Sequence, residues 1–314
     1  MHLESDPAEF RKKLLSWYDQ NRRDLPWRKD CHPYRVWVSE IMLQQTRVAA
    51  VLPKYNSFLK RFPSVQKLAS ARETSVLSKW SGLGYYRRAR NLHAAAKIVS
   101  GEGKFPQSSD AWRALPGIGR YTAAAICSIA FNEPVAVVDG NVERVLRRLS
   151  GTNQSTAKSW RTAETLLDPS RPGDFNQAMM EFGATVCLPG DPLCAACPIR
   201  VFCSTRGRDL FPPRKPRQQK REISFALALA NGSLRLVRRS SAETLMPGMW
   251  ELPTTSSKLK PLFTLKHSIT NTDYDVRVIS AAIAAGTAVK LSRVPQLPLT
   301  GLARKILSRA GLIS

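Results

Sequence analysis

Along the first two-thirds of the chain, apolar residues recur every three or four positions. Over the last third they alternate or fall in short runs. The first pattern lines one face of a helix, and the second suits a strand. Residues 7–20 are predicted as an amphipathic helix with Phe10, Leu14, Trp17 and Tyr18 inward. A second helix is predicted from Pro33 through PYRVWVSEIMLQQTRVAAVL, because proline suits a first helical turn. Shorter helices are expected over 64–71, 74–79 and 108–115. Arg120–Phe131 is alanine-rich and apolar enough to be a central buried helix, and 141–150 and 157–167 extend the helical series. No strand ladder is predicted before residue 206. Beyond it, ISFALALA, SLRLVRRS, PLFTLKHSIT and DYDVRVISAAI read as strands, and 302–310 as a closing helix. Between the two textures, GRDLFPPRKPRQQKRE at 207–222 is basic and stiffened by Pro212, Pro213 and Pro216, which predicts a linker. No internal repeat is present.

Composition narrows the partners. The 314 residues suggest about two domains, and 43% hydrophobic content supplies real cores. Lys and Arg number 48 against 24 Asp and Glu, a net charge of +24 that points to a polyanion, most simply nucleic acid. No apolar run approaches a bilayer span. The opening MHLESDPAEFRKK lacks an apolar signal core, so a cytoplasmic location is expected for a bacterial chain. Of the cysteines, Cys31 and Cys127 stand apart, while Cys187, Cys194, Cys197 and Cys203 form C-x6-C-x2-C-x5-C. Such spacing can ligate one tetrahedral metal or one iron–sulfur cluster. Zinc usually takes two CxxC-like pairs and only one is present, which leaves zinc the lesser of two open options.

Several positions could carry chemistry. Pro116, Gly117 and Gly119 make a turn whose backbone can be approached closely, followed by a helix start suited to phosphate. Asp139 directly precedes the periodic Val142, Val145, Leu146 and Leu149. The expectation is that the hairpin holds a DNA backbone while Asp139 faces the sugar being cut. Glu40 lies three or four residues from Val36, Trp37, Leu43 and Gln44, at the edge of an apolar face. Desolvation there would raise its pKa and suit a general acid, although the pattern alone is met more readily by a glutamate that reaches an arginine. Gly82 and Gly84 precede Tyr85, Tyr86, Arg87, Arg88 and Arg90, which either stack a base and hold its phosphates or simply pack a loop. Asp174 and Gln177 are spaced as a capping box, the ordinary reading of Gln177.

Taken together, LPWR at 25–28, VSEIMLQQT at 38–46, GLGYYRRARNL at 82–92, LPGIGRYTA at 115–123, VDGNVERVL at 138–146, FNQAMMEFGA at 175–184 and the cysteine run resemble one family. It is that of the A/G-specific adenine DNA glycosylases of the MutY type, in the helix-hairpin-helix superfamily that includes endonuclease III. The resemblance covers nearly the whole chain. It implies an all-α helix-hairpin-helix glycosylase domain over 1–206 with an iron–sulfur loop at 187–203. The linker and a small α+β NUDIX-like domain over 223–314 that recognises 8-oxoguanine would follow. It implies a 4Fe–4S cluster on Cys187, Cys194, Cys197 and Cys203. It also implies removal, by a monomer, of adenine mispaired with 8-oxoguanine or guanine in double-stranded DNA, with the enzyme at the bacterial nucleoid.

Within that resemblance, Glu40 would protonate N7 of a flipped adenine and ionised Asp139 would stabilise or trap the sugar cation. Asn141 would position sugar or water. Trp27, Arg28 and Gln177 resemble the adenine pocket. Gln45 and Tyr85 would fill or wedge the gap, with Leu43 and Thr46 on the neighbouring strand. Tyr121 stands where bifunctional relatives carry a Schiff-base lysine; a phenol cannot form that adduct, so a monofunctional enzyme is expected, with Tyr121 hydrogen-bonding near Glu40 or Asp139. PGMWELP at 247–253 and PLTGLARKIL at 298–307 resemble the family's reader domain, without an acidic NUDIX box. Where the family often has Phe-Ser-His, this chain has His267-Ser268-Ile269.

Overall fold

The computed structural model describes residues 6–206, 218–240, 242–243, 245–269 and 271–313. The helices are α1 (Pro7–Asn21), α2 (Pro33–Leu43), α3 (Val48–Arg61), α4 (Val65–Ala69), α5 (Glu73–Trp80), α6 (Arg87–Glu102), α7 (Ser109–Arg113), α8 (Arg120–Phe131), α9 (Gly140–Ser150), α10 (Thr156–Leu166) and α11 (Pro172–Thr185). Strands β1 (Gln219–Leu227), β2 (Leu229–Ala230), β3 (Ser233–Arg238), β4 (Trp250–Glu251), β5 (Phe263–Ile269), β6 (Thr272–Ser280) and β7 (Thr287–Lys290) follow, and α12 (Gly301–Arg309) comes last. Residues 6–206 hold helices and no strand among the described residues. Among the described residues, no helix is long and apolar enough to cross a membrane.

The predicted helix from Pro33 does not run through to Leu52. It stops at Leu43, because Gln44 leaves helical geometry and Gln45 takes a left-handed backbone with φ 52°. Thr46 N–H closes the turn on the Leu43 carbonyl at 3.1 Å. The apolar period continues on both sides of this turn, so periodicity alone hides it. The capping box also fails: α11 starts at Pro172, so Asp174 lies inside its first turn, paired with Arg171 at 2.7 Å. Of the expected linker, 207–217 lie outside the described residues, and Gln219 already opens β1.

The chain forms two compact units. The first comprises Met1–Leu59, Ser64–Gln66 and Ala94–Pro213. Its larger core joins Phe10, Leu14 and Tyr18 of α1 to Val142, Val145 and Leu146 of α9 and to Phe175, Met179 and Phe182 of α11. Ile199 and Phe202 from the cysteine loop enter the same core, and Phe202 meets Phe10 edge-on at 5.5 Å. Helix α8 is buried through Thr122–Ser128, and its small residues let neighbours come close. A Cβ on Gly173 would lie 2.6 Å from the Ser128 carbonyl oxygen.

The second unit comprises Lys60–Pro63, Lys67–His93 and Arg214–Ser314. Here β1 pairs in parallel with β6, whose other edge takes β5 antiparallel. A second sheet is built around β3, which pairs with β2, β4 and β7. Leu234, Leu236, Val276, Val278, Leu299, Leu302 and Ile306 share its core. The helical residues of this unit are tied in by polar bonds: Tyr86 Oη and Ser81 Oγ both donate to the Leu299 carbonyl, at 2.9 and 3.1 Å, and Arg304 Nε donates to Ser81 Oγ at 2.9 Å.

Candidate active site

In the first unit, the end of α2, the start of α8, the N-terminus of α9 and one face of α11 line an open cleft of about 1040 Å³. Ligand clefts run to roughly 300–1,000 Å³, and this one stands at the upper end of that range. Trp27, Arg28, Glu40, Leu43, Gln45, Thr46, Tyr121, Asp139, Asn141 and Gln177 all line it. Three groups of expected site residues lie elsewhere. Gly117 and Gly119 sit at the exposed hairpin before α8, Tyr85 and Ser268 belong to the second unit, and the four cysteines line a cavity of their own.

Glu40 is only 5% exposed. Burial pushes its pKa up to about 7, helped by the negative Asp139 and opposed by the Tyr121 hydroxyl and by Arg28. Tyr121 Oη is within donating distance of Glu40 Oε2 at 2.9 Å and of Met180 Sδ at 3.1 Å. Burial and the two carboxylates raise the phenol's pKa well above its usual range, so it stays a donor. Asp139 caps α9: its Oδ1 accepts from Val142 N–H at 2.7 Å and its Oδ2 from Asn141 Nδ2 at 3.2 Å. Burial raises its pKa too, while these bonds and Arg144 restrain the rise. The pair therefore presents one carboxyl that holds a proton near neutrality and one that a helix terminus favours as an anion.

Asn141 is pinned from behind. Gly183 of α11 passes so close that an added Cβ would stand 2.7 Å from Asn141 Cβ. Arg144 Nη2 donates to Asn141 Oδ1 at 3.0 Å. Also on α11, Glu181 accepts at Oε2 from Arg28 Nη2 at 2.9 Å, and Arg23 donates through Nε and Nη2 to the two oxygens of Glu181 at 2.7 Å each. Burial alone would raise the Glu181 pKa, but the two guanidinium groups hold it down at about 2. The Arg28 guanidinium also lies over the Tyr18 ring, 5.5 Å from its centroid, and Trp27 meets Tyr55 edge-on at 5.3 Å.

Sequence reasoning missed Met180, Glu181 and Arg144. The one available signal was spacing: Gln177, Met180, Glu181, Gly183 and Ala184 all line the cleft from α11, at the three-and-four period of one helix face.

Two expected wedge residues share an uncommon backbone. Gln45 and Tyr85 have φ 52° and 47°, a region that non-glycine residues seldom occupy. Gln45 is exposed and Tyr85 is 50% exposed. Arg88 lies 5.4 Å from the Tyr85 ring centroid. At the hairpin, Gly117 has φ 77°, and Gly119 begins α8 with no side chain capping it. Open space surrounds the position of a Gly119 Cβ. Ser268 is exposed and donates to Asp273 on the facing strand.

None of the four clustered cysteines is in a disulfide. They surround one small cavity with Val145, Arg148, Leu149 and Phe182. Arg148 Nη1 donates to Cys187 Sγ at 3.4 Å and Arg206 N–H to Cys203 Sγ at 3.3 Å. Among the described residues, no three His, Cys, Asp or Glu side chains lie close enough to hold a single metal ion. A lone zinc needs sulfurs about 2.3 Å from one centre. The four thiols line one shared cavity, with a guanidinium donating to Cys187 and a backbone N–H to Cys203.

Residues 38–169 match the HhH-GPD superfamily of base excision DNA repair proteins. A solved thermostable thymine-DNA glycosylase is similar to the chain in fold (TM-score 0.60) at 30% identity, covering 64% of this chain and 96% of that one. The class is thus a helix-hairpin-helix DNA glycosylase. The adenine DNA glycosylase of Rattus norvegicus is 49% identical over 227 residues, 66% of this chain and 44% of that one. That of Buchnera aphidicola subsp. Schizaphis graminum is 34% identical over 278 residues, 84% and 80% respectively. The chain belongs to the adenine DNA glycosylase family, and it spans less than half the length of the rat relative.

Proposed function

We propose that the protein is a monofunctional glycosylase that removes adenine mispaired with 8-oxoguanine or guanine. The observation that carries this reading is the pairing of buried Glu40, protonated near neutrality, with Asp139 at the N-terminus of α9 in one cleft. The glycosidic bond is shielded in a duplex, so the nucleotide must leave the stack. Gln45, held out on left-handed backbone, fills the gap. Trp27, Arg28 and Gln177 receive the base, while Leu43 and Thr46 face the neighbouring strand. Uncapped α8 and the Gly117–Gly119 turn hold a phosphate.

Glu40 gives its proton to adenine N7, which makes the base a neutral leaving group. The C1′–N9 bond breaks with its electrons going to the base, leaving an oxocarbenium-like sugar. Asp139 stabilises that cation or adds to C1′ transiently, and water completes hydrolysis. Asn141 holds Asp139 Oδ2 and positions the sugar or water. Tyr121 offers no amine, so no Schiff base forms and strand cleavage does not follow. Cys187, Cys194, Cys197 and Cys203 would hold a 4Fe–4S cluster, which supplies structural closure to a loop whose own core contribution is Ile199 and Phe202. The two sheets and α12 serve as a NUDIX-like reader, with Ser268 near the end of β5 meeting the 8-oxoguanine. The partner is double-stranded DNA, and the protein acts as a monomer at the bacterial nucleoid.

Single-turnover reactions on duplexes carrying A opposite 8-oxoguanine, A·G, G·T and an oxidised pyrimidine test this. Adenine release from the first two, without strand scission, is expected. Release of thymine or oxidised pyrimidine in its place overturns the reading.

A further inference from the structure

The Tyr121 hydroxyl has one proton and two acceptors in reach, Glu40 Oε2 at 2.9 Å and Met180 Sδ at 3.1 Å. Met180 is partly buried, lines the cleft and packs against Ala124, Ala125 and Val137 as well as the larger core. Its sulfur is held where the hydroxyl can turn to it without moving the ring. Thioether sulfur is a weak acceptor, so the carboxylate wins whenever Glu40 is ionised. Once Glu40 carries a proton the order reverses. The carboxylic acid donates to Tyr121 Oη, and the phenol proton needs another acceptor.

We propose that Met180 is a positioning residue for the acid: its sulfur takes the Tyr121 hydroxyl proton when Glu40 is protonated and so stabilises the acid in its proton-donating form. The proposal rests on the reading of Glu40 as the acid that protonates the base. Without the sulfur, the hydroxyl in that state loses its second protein acceptor, and an unmade hydrogen bond is costly where water is excluded. The groups facing Glu40 are Tyr121 from α8, Asp139 from the head of α9 and Arg28 from the turn before α2. Glu181 of α11 is neutralised by Arg23 and Arg28. None of these touches the Met180 sulfur in a way that replaces it, so Met180→Leu removes an acceptor and leaves the charges in place.

The test is a carbon-13 NMR titration of the Glu40 carboxyl in the whole protein without DNA, the signal assigned with Glu40→Gln. In Met180→Leu the Glu40 midpoint is expected to fall by about half a pH unit. In a Tyr121→Phe background, Met180→Leu is expected to produce no further fall, because the sulfur acts only through the hydroxyl. An unchanged midpoint in Met180→Leu, or an equal fall in the Tyr121→Phe background, overturns the proposal. Adenine release measured in parallel on A opposite 8-oxoguanine should lose its alkaline limb at correspondingly lower pH. If wild-type protein releases no adenine, the functional reading fails while the titration still decides the role of Met180.

Discussion

At Glu40 the folded-state pKa of about 7 stands above the ordinary 4.5, so the native protein takes up a proton that the unfolded chain gives away. Its contribution to stability is complete below about pH 4.5 and is lost as pH rises to about 7, on the order of 3 kcal/mol. Glu40→Gln should therefore resist urea better than wild type at about pH 8 and show no such gain at about pH 4. The same substitution should cut adenine excision by about 100-fold or more, because an amide cannot donate the proton. Glu181 has the opposite sign. Its pKa is held at about 2, so its contribution is complete above about pH 4.5 and is lost progressively as pH falls from there to about 2. Glu181→Gln strands two guanidinium groups beside a pocket wall and should cost about 3 kcal/mol in urea unfolding at neutral pH. The positions of Glu40 at the edge of an apolar face and of Asp139 just ahead of α9 were legible from apolar spacing, although spacing alone favoured an arginine-paired Glu40. Glu181 and Met180 were not: inside AMMEF they read as helix filler, and only the arginines and the phenol brought in from distant segments give them a role.

Among the elements, most helices announced themselves through spacing and proline, and their ends fall within a few residues of expectation. The turn after α2 did not, since Gln44 to Arg47 is polar enough to pass for the solvent face of a continuing helix. Its backbone holds Gln45 left-handed, a geometry that costs a non-glycine residue about 1–2 kcal/mol. Gln45→Gly should raise the thermal midpoint while slowing single-turnover excision, which separates strain from contact. Gly183 was invisible for a different reason: nothing in one segment says that another passes within van der Waals range. Gly183→Ala drives a methyl into Asn141. It should destabilise by about 1–3 kcal/mol and slow excision more than that loss explains, as read by single-turnover rates below the unfolding range.

For the molecule as a whole, the proposed action on DNA together with the +24 charge predicts an affinity that falls steeply with salt, since each phosphate neutralised releases counterions. A log–log plot of affinity for undamaged duplex against salt should have a strongly negative slope. The α+β texture of the C-terminal region was plain from alternation. The membership of residues 67–93 in that unit was not, because an apolar helix face does not name the core it will meet. That membership bears on how the protein is made. Tyr86 and the carbonyl it bonds are 213 positions apart in the chain. At roughly 5–20 residues per second on the ribosome, about 10–40 s separate the synthesis of the two. Through that interval the Ser81 and Tyr86 hydroxyls that follow α5 have no carbonyl to bond, and the segment that carries them must wait for its partner.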